Sequence, residues 1–129
     1  MLVTAMFASA VMAKDGPKLD PGKLPAASSK TGVTYDGDIK PIFEKSCFKC
    51  HGSEKQKGKL RLDSLDAVMK GGEEGKVVDP GNSSKSVLVY SVARVCVDED
   101  DFMPPEDKGK PLTKDQVGLI RAWIDQGAK

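Results

Sequence analysis

"KSCFKCHGSE", residues 45–54, holds two of the chain's three cysteines and its single histidine. Cys47, Cys50 and His51 fall within five consecutive positions, so the reactive side chains are concentrated in one place. Upstream, Ile39, Ile42, Phe43, Cys47 and Cys50 recur at helical spacing, with Asp38 placed to cap the start and Pro41 in the first turn, where its missing N–H is tolerated. The pattern predicts a helix leading into the motif. Continued through His51, it would set both sulfurs and the imidazole on one face, because residues three and four apart on a helix are neighbours.

The rest of the chain limits what that cluster can serve. A length of 129 residues suits one domain with one core. Twenty Lys and Arg against 19 Asp and Glu leave a net charge of +1, without the basic excess of a nucleic-acid binder, so no nucleic-acid partner is expected. Apolar residues make up 39% and aromatics 5%, a thin core that a large apolar cofactor would complete. "MLVTAMFASAVMA", residues 1–13, reads as a signal peptide cleaved after about Ala13: it is apolar, too short to span a bilayer and ends in small residues, although no basic residue precedes it. Residues 14–34, rich in Lys, Pro, Gly and Ser, are expected as a flexible leader, and residues 35–129 as the folded domain. A periplasmic or otherwise exported protein follows, with no stable membrane insertion after cleavage.

Further helices are expected beyond the motif. "LTKDQVGLIRAWIDQGAK", residues 112–129, carries Thr113 and Gln116 as a capping box, Leu112 and Val117 as a hydrophobic staple and Gly127 as a stop. Val117, Ile120 and Ile124 form its inward stripe, with Trp123 as core. "SLDAVMKGG" and "NSSKSVLVYSVAR" signal two weaker helices, the second open to a strand because "VLVYSVARVCV" is rich in β-branched residues. "KGKLRLD" reads as a short extended piece, and nothing implies a substantial sheet.

Cys47-Phe48-Lys49-Cys50-His51 has the form C-x-x-C-H, the attachment signature for c-type haem. The two thiols add across the haem vinyl groups, and the adjacent histidine offers a ring nitrogen to the iron. Three other uses fit less well. A zinc site built from Cys47, Cys50, His51 and Cys96 would need adjacent residues 50 and 51 to aim at one tetrahedral metal. A thioredoxin-like pair requires a C-x-x-C at a helix start within a βαβ pattern, which is missing. A disulfide between Cys47 and Cys50 would close a very small loop and leave His51 without a purpose.

With His51 as the only histidine, methionine is the usual second axial ligand, and it raises the reduction potential. Met1, Met6 and Met12 fall in the signal segment. Met69 lies on the inward stripe of a predicted helix, where packing is the expected role. Met103 lies in "DEDDFMPPEDKGKP", a polar loop that gives a thioether nothing to pack against and that Pro104 and Pro105 stiffen. Met103 is therefore the favoured ligand.

The order of these features resembles a class I cytochrome c. More narrowly, "CFKCHG", "GKLRLDS", "KGGEEGKVVDPGNSSKS", "MPP" and "LIRAWIDQGA" resemble, in that order, the planctomycete-type cytochrome c domain over about residues 35–128. The resemblance implies an all-α, cytochrome c-like fold whose N- and C-terminal helices cross around one covalently attached haem c. It implies thioether links at Cys47 and Cys50 and iron ligation by His51 and Met103. It also implies that the "LRLDS" and "VVDPG" blocks wall the haem. In that family such a domain is often the leading module of a larger protein; here a free-standing carrier is expected.

Electron transfer between redox proteins is the expected function, and no enzymatic activity is expected; the alternative is a haem enzyme or gas-sensing domain with an open sixth iron position. From Asp38 to Arg61 seven basic residues, Lys40, Lys45, Lys49, Lys55, Lys57, Lys59 and Arg61, face three acids. Around the methionine the balance inverts, with Asp98, Glu99, Asp100, Asp101, Glu106 and Asp107. Such opposite patches would orient a transient redox partner. Arg61 is open to either a haem propionate or a surface position. Cys96 is expected as a buried free thiol.

Overall fold

Thr34 starts the first helical element, its hydroxyl accepting from the Gly37 N–H while the Asp38 carboxylate accepts from the Thr34 N–H. Asp38, expected as the cap, thus sits one turn inside the element and pairs with Lys30. In this computed structural model, which describes residues 20–48, 50–52, 55–73, 75–95 and 102–129, Tyr35–Ile39 form a turn of π-helix that runs into α1, Lys40–Ser46. Pro41 lies in the first turn of α1. The helix stops short of the motif rather than running through it. The Cys47 and Phe48 N–H groups both bond to the Phe43 carbonyl, at 2.7 and 3.0 Å, so the i→i−4 ladder ends in a shared acceptor.

Three more helices follow. Ser64 caps α2, Leu65–Lys70, by accepting from the Ala67 N–H. A single 3₁₀ turn, Ser83–Lys85, leads into α3, Val87–Ala93. The β-branched run that left a strand open is helical here, since Leu88, Val89, Tyr90 and Val92 are all buried and packing on several faces overrides propensity. Thr113 and Gln116 form the full capping box at the start of α4, Lys114–Asp125. Gly127, at φ +104°, turns the chain beyond its end.

Among the described residues the protein is all-α, as expected. Among the described residues only two isolated bridges occur, His51 with Gln56 and Gly72 with Gly75, and no sheet. "KGKLRLD" makes a 3₁₀ turn at Lys57–Lys59 and then extends without a ladder. The N- and C-terminal helical segments meet through three rings: Trp123 lies 6.0 Å from Tyr35 and 6.4 Å from Phe43, edge-on to the latter. All three are almost fully buried, and offset or edge-to-face packing of this kind adds to the gain from burying their area.

Residues 25–33, expected within the flexible leader, are instead fastened along α4. Arg121 donates to the Pro25 carbonyl at 2.6 Å, the Ser28 N–H to Gly118 at 2.9 Å and the Gln126 amide to Lys30 at 2.7 Å. Gly118 permits this approach, because a Cβ there would stand 2.6 Å from the Ala26 carbonyl oxygen. These ties run largely through backbone carbonyls, which leave no periodic trace in side chains. The expected signal peptide lies outside the described residues.

Candidate functional site

The Cys47 carbonyl accepts from the N–H groups of both Cys50, at 3.2 Å, and His51, at 2.9 Å. A helix-like turn therefore persists past the end of α1 and keeps the two cysteines and the histidine together. Gly52 closes it: a Cβ at that position would lie 2.5 Å from the Phe48 carbonyl oxygen.

His51 is 8% exposed and anchored on three sides. Its N–H is bound to Cys47, its carbonyl accepts from the Leu62 N–H at 2.8 Å, and its Nδ1 lies 3.2 Å from the Leu60 carbonyl oxygen. A proton on Nδ1 donated to that carbonyl leaves the Nε2 lone pair for a metal, the arrangement that orients metal-binding imidazoles. Burial pushes the His51 pKa below its ordinary value, against hydrogen bonds to the Leu60 and Lys57 backbone, and so favours the neutral ring that a metal needs. Behind it, the buried Tyr35 hydroxyl donates to the Leu62 carbonyl.

Cys47 is buried and Cys50 half-buried, and their sulfurs are not joined to each other. Burial, with a smaller contribution from Cys50, pushes the Cys47 thiol up to about 12. That is opposite to the lowered pKa of a reactive thioredoxin-type cysteine. Among the described residues no three His, Cys, Asp or Glu side chains are grouped to hold a metal ion, which weighs against zinc; Cys96 lies outside those residues.

Cys47, Cys50 and His51 border a cavity of about 400 Å³, within the usual range for a cofactor site. Leu60, Leu62, Leu88 and Val92 supply much of its apolar lining, and Met103 and Pro104 border it as well. The Met103 N–H donates to the Ser91 carbonyl on α3 at 2.9 Å. Met69 and Met103 both pack against the hydrophobic core, but only Met103 borders the cavity. Of the two blocks expected as walls, "LRLDS" contributes Leu60 and Leu62, but "VVDPG" does not line the cavity: Val78 is buried in the core and the Val77 carbonyl accepts from the Leu88 N–H. Leu88 and Val92 of α3 take that place.

Among the described residues, basic side chains border the cavity from both sides. Lys45, Lys55 and Lys57 border the cavity from the motif side, and Lys108 and Lys110 from the methionine side. Glu106 and Asp107 are exposed and do not border it, while residues 98–101 and Lys49 lie outside the described residues. Arg61 is engaged by Asp63 through a two-point contact, at 3.0 and 2.6 Å.

Residues 47–107, just under half of the chain, match the family described as Planctomycete cytochrome C. Over that stretch the chain is similar to a c-type cytochrome domain. No curated protein and no solved structure matches it. Similarity to a cytochrome c family implies haem c, and the residues present fit the group: two thiols and an imidazole whose Nδ1 faces the Leu60 carbonyl stand at the edge of an apolar cavity. Among the described residues no helix is long and apolar enough to cross a membrane.

Proposed function

We propose that the protein is an exported single-haem cytochrome c that carries electrons one at a time between redox proteins. Cys47 and Cys50 would hold the haem through thioethers, and His51 and Met103 would be its axial ligands. The observation that carries this reading is that all four side chains border one cavity. The bound group supplies a one-electron iron couple.

The chain's own residues do the rest. The Leu60 carbonyl orients the His51 ring and keeps its Nε2 free. Met103 would supply a thioether as the second iron ligand, which would raise the potential and leave no open position for oxygen or substrate. Leu60, Leu62, Leu88 and Val92 line the cavity and would limit water around the group, which would favour its less charged, reduced state. The five lysines beside the cavity suit an acidic partner surface, which would speed encounter more than it tightens binding.

An optical spectrum of Met103→Ala beside the wild type tests the assignment. The wild type should show a low-spin ferric haem with a sulfur-to-iron charge-transfer band. The variant should lose the band, fall in potential and bind carbon monoxide readily. Two proteins alike in spin state and potential would remove Met103 as a ligand and favour an open-site haem enzyme or sensor.

A further inference from the structure

The geometry points to Arg94 as the positioning residue for Met103: its guanidinium clamps both arms of the methionine loop to the end of α3. This rests on the assignment of Met103 as an iron ligand. Arg94 Nη2 donates to the Pro104 carbonyl, next to the methionine, and to the Gly109 carbonyl at 3.2 Å, on the returning arm. Between them the Lys108 N–H closes a turn onto the Pro105 carbonyl at 2.9 Å, and the Pro104 ring lies against Gly109, within 3.4 Å of where a Cβ would stand. The bond from the Met103 N–H to Ser91 fastens the same loop to the same turn of α3.

A side-chain donor is needed here for a chemical reason. Pro104 and Pro105 have no N–H, so on the C-terminal side of Met103 the backbone can be held there only through its carbonyls. A guanidinium presents several N–H donors in a rigid fork and can take two carbonyls at once; an ammonium on a flexible stem is a poorer match. Leu88 and Val92 of α3 border the cavity, so the clamp joins the methionine to a wall of its own site.

The backbone at Arg94 argues that the side chain is there for this purpose. Arg94 ends α3 in the left-handed conformation, at φ 54° and ψ 43°. Glycine is the usual residue there, because a Cβ is disfavoured. The helix end would be served as well or better by glycine, so the two roles of position 94 can be separated.

Holo-protein carrying Arg94→Gly, Arg94→Gln or Arg94→Lys tests the inference, through the charge-transfer band, the midpoint potential and the rate of carbon monoxide binding, with thermal melts alongside. Arg94→Gly and Arg94→Gln should each raise the population with Met103 dissociated about tenfold, as expected for losing hydrogen bonds from a charged donor. The potential should drop and carbon monoxide should bind faster. Arg94→Lys should fall between these and the wild type. Arg94→Gly should do this while keeping a melting temperature at or above that of Arg94→Gln, which a role in helix termination alone would not produce. If Arg94→Gln fails to fold, Arg94→Gly decides. A wild-type band and potential in Arg94→Gly, whatever its melting temperature, would overturn the inference and leave Met103 in place as a ligand. Absence of the band from the wild type itself would remove both.

Discussion

His51 and Met103 border one cavity, yet they are held by different means. His51 is fixed by the short turn that begins at Cys47 and by the neighbouring extended segment at Leu60 and Leu62, with Tyr35 buried behind. Met103 is half-buried and depends on α3, through Ser91 and the long reach of Arg94. Closing a short loop costs little chain entropy, and buried hydrogen bonds resist exchange with water. On the proposed ligation, the histidine end would therefore be the lasting attachment, and the methionine end should open first under denaturant or added ligand.

The largest effect should come from the histidine end. Replacing Cys47→Ser together with Cys50→Ser, in a host able to attach haem, should yield colourless protein of bare polypeptide mass by mass spectrometry. A coloured product carrying one haem mass would break the contrast, since the group would then be held elsewhere.

Tyr35→Phe probes the support behind His51. Removing a hydroxyl that satisfies the buried Leu62 carbonyl should destabilise the fold by about 1–3 kcal/mol in urea unfolding. The pH dependence has a definite sign. Burial, with smaller contributions from Asp63, Asp36 and Cys47, raises the Tyr35 phenol to about 12, so the folded state keeps a proton that the unfolded state releases near the ordinary value of 10.0. Its contribution is full below about pH 10 and is lost as pH rises towards 12. The variant should lose stability less steeply over that range; equal slopes would exclude Tyr35 as the alkali-sensitive support.

Thr113→Ala should have the smallest effect and sharpens the contrast as a control. Losing the capping box should cost about 1 kcal/mol in the same unfolding measurement. The charge-transfer band should not change, because α4 holds neither end of the site. A shifted band would mean that the cavity responds to the far side of the fold.

Legibility followed sequence distance. The C-x-x-C-H spacing and the α4 capping box could be read from neighbouring residues and simple periodicity. The end of α1 at Ser46 could not, because it turns on two N–H groups sharing the Phe43 carbonyl. The fastening of residues 25–33 was hidden for a similar reason: its acceptors are backbone carbonyls, which every residue carries. Arg94 left one faint signal, an arginine closing a helix where glycine is usual, and its task depends on two carbonyls ten and fifteen residues away.

The amino-acid sequence alone determined the Cys47–His51 cluster and the helical class, since both arise from spacings of three and four residues along one chain. Tertiary structure decided which apolar side chains border the cavity, that lysines from two distant segments share its edge, and what holds the methionine loop. Those properties depend on segments brought together by burial and long-range hydrogen bonds, and no local pattern encodes which partner each will meet.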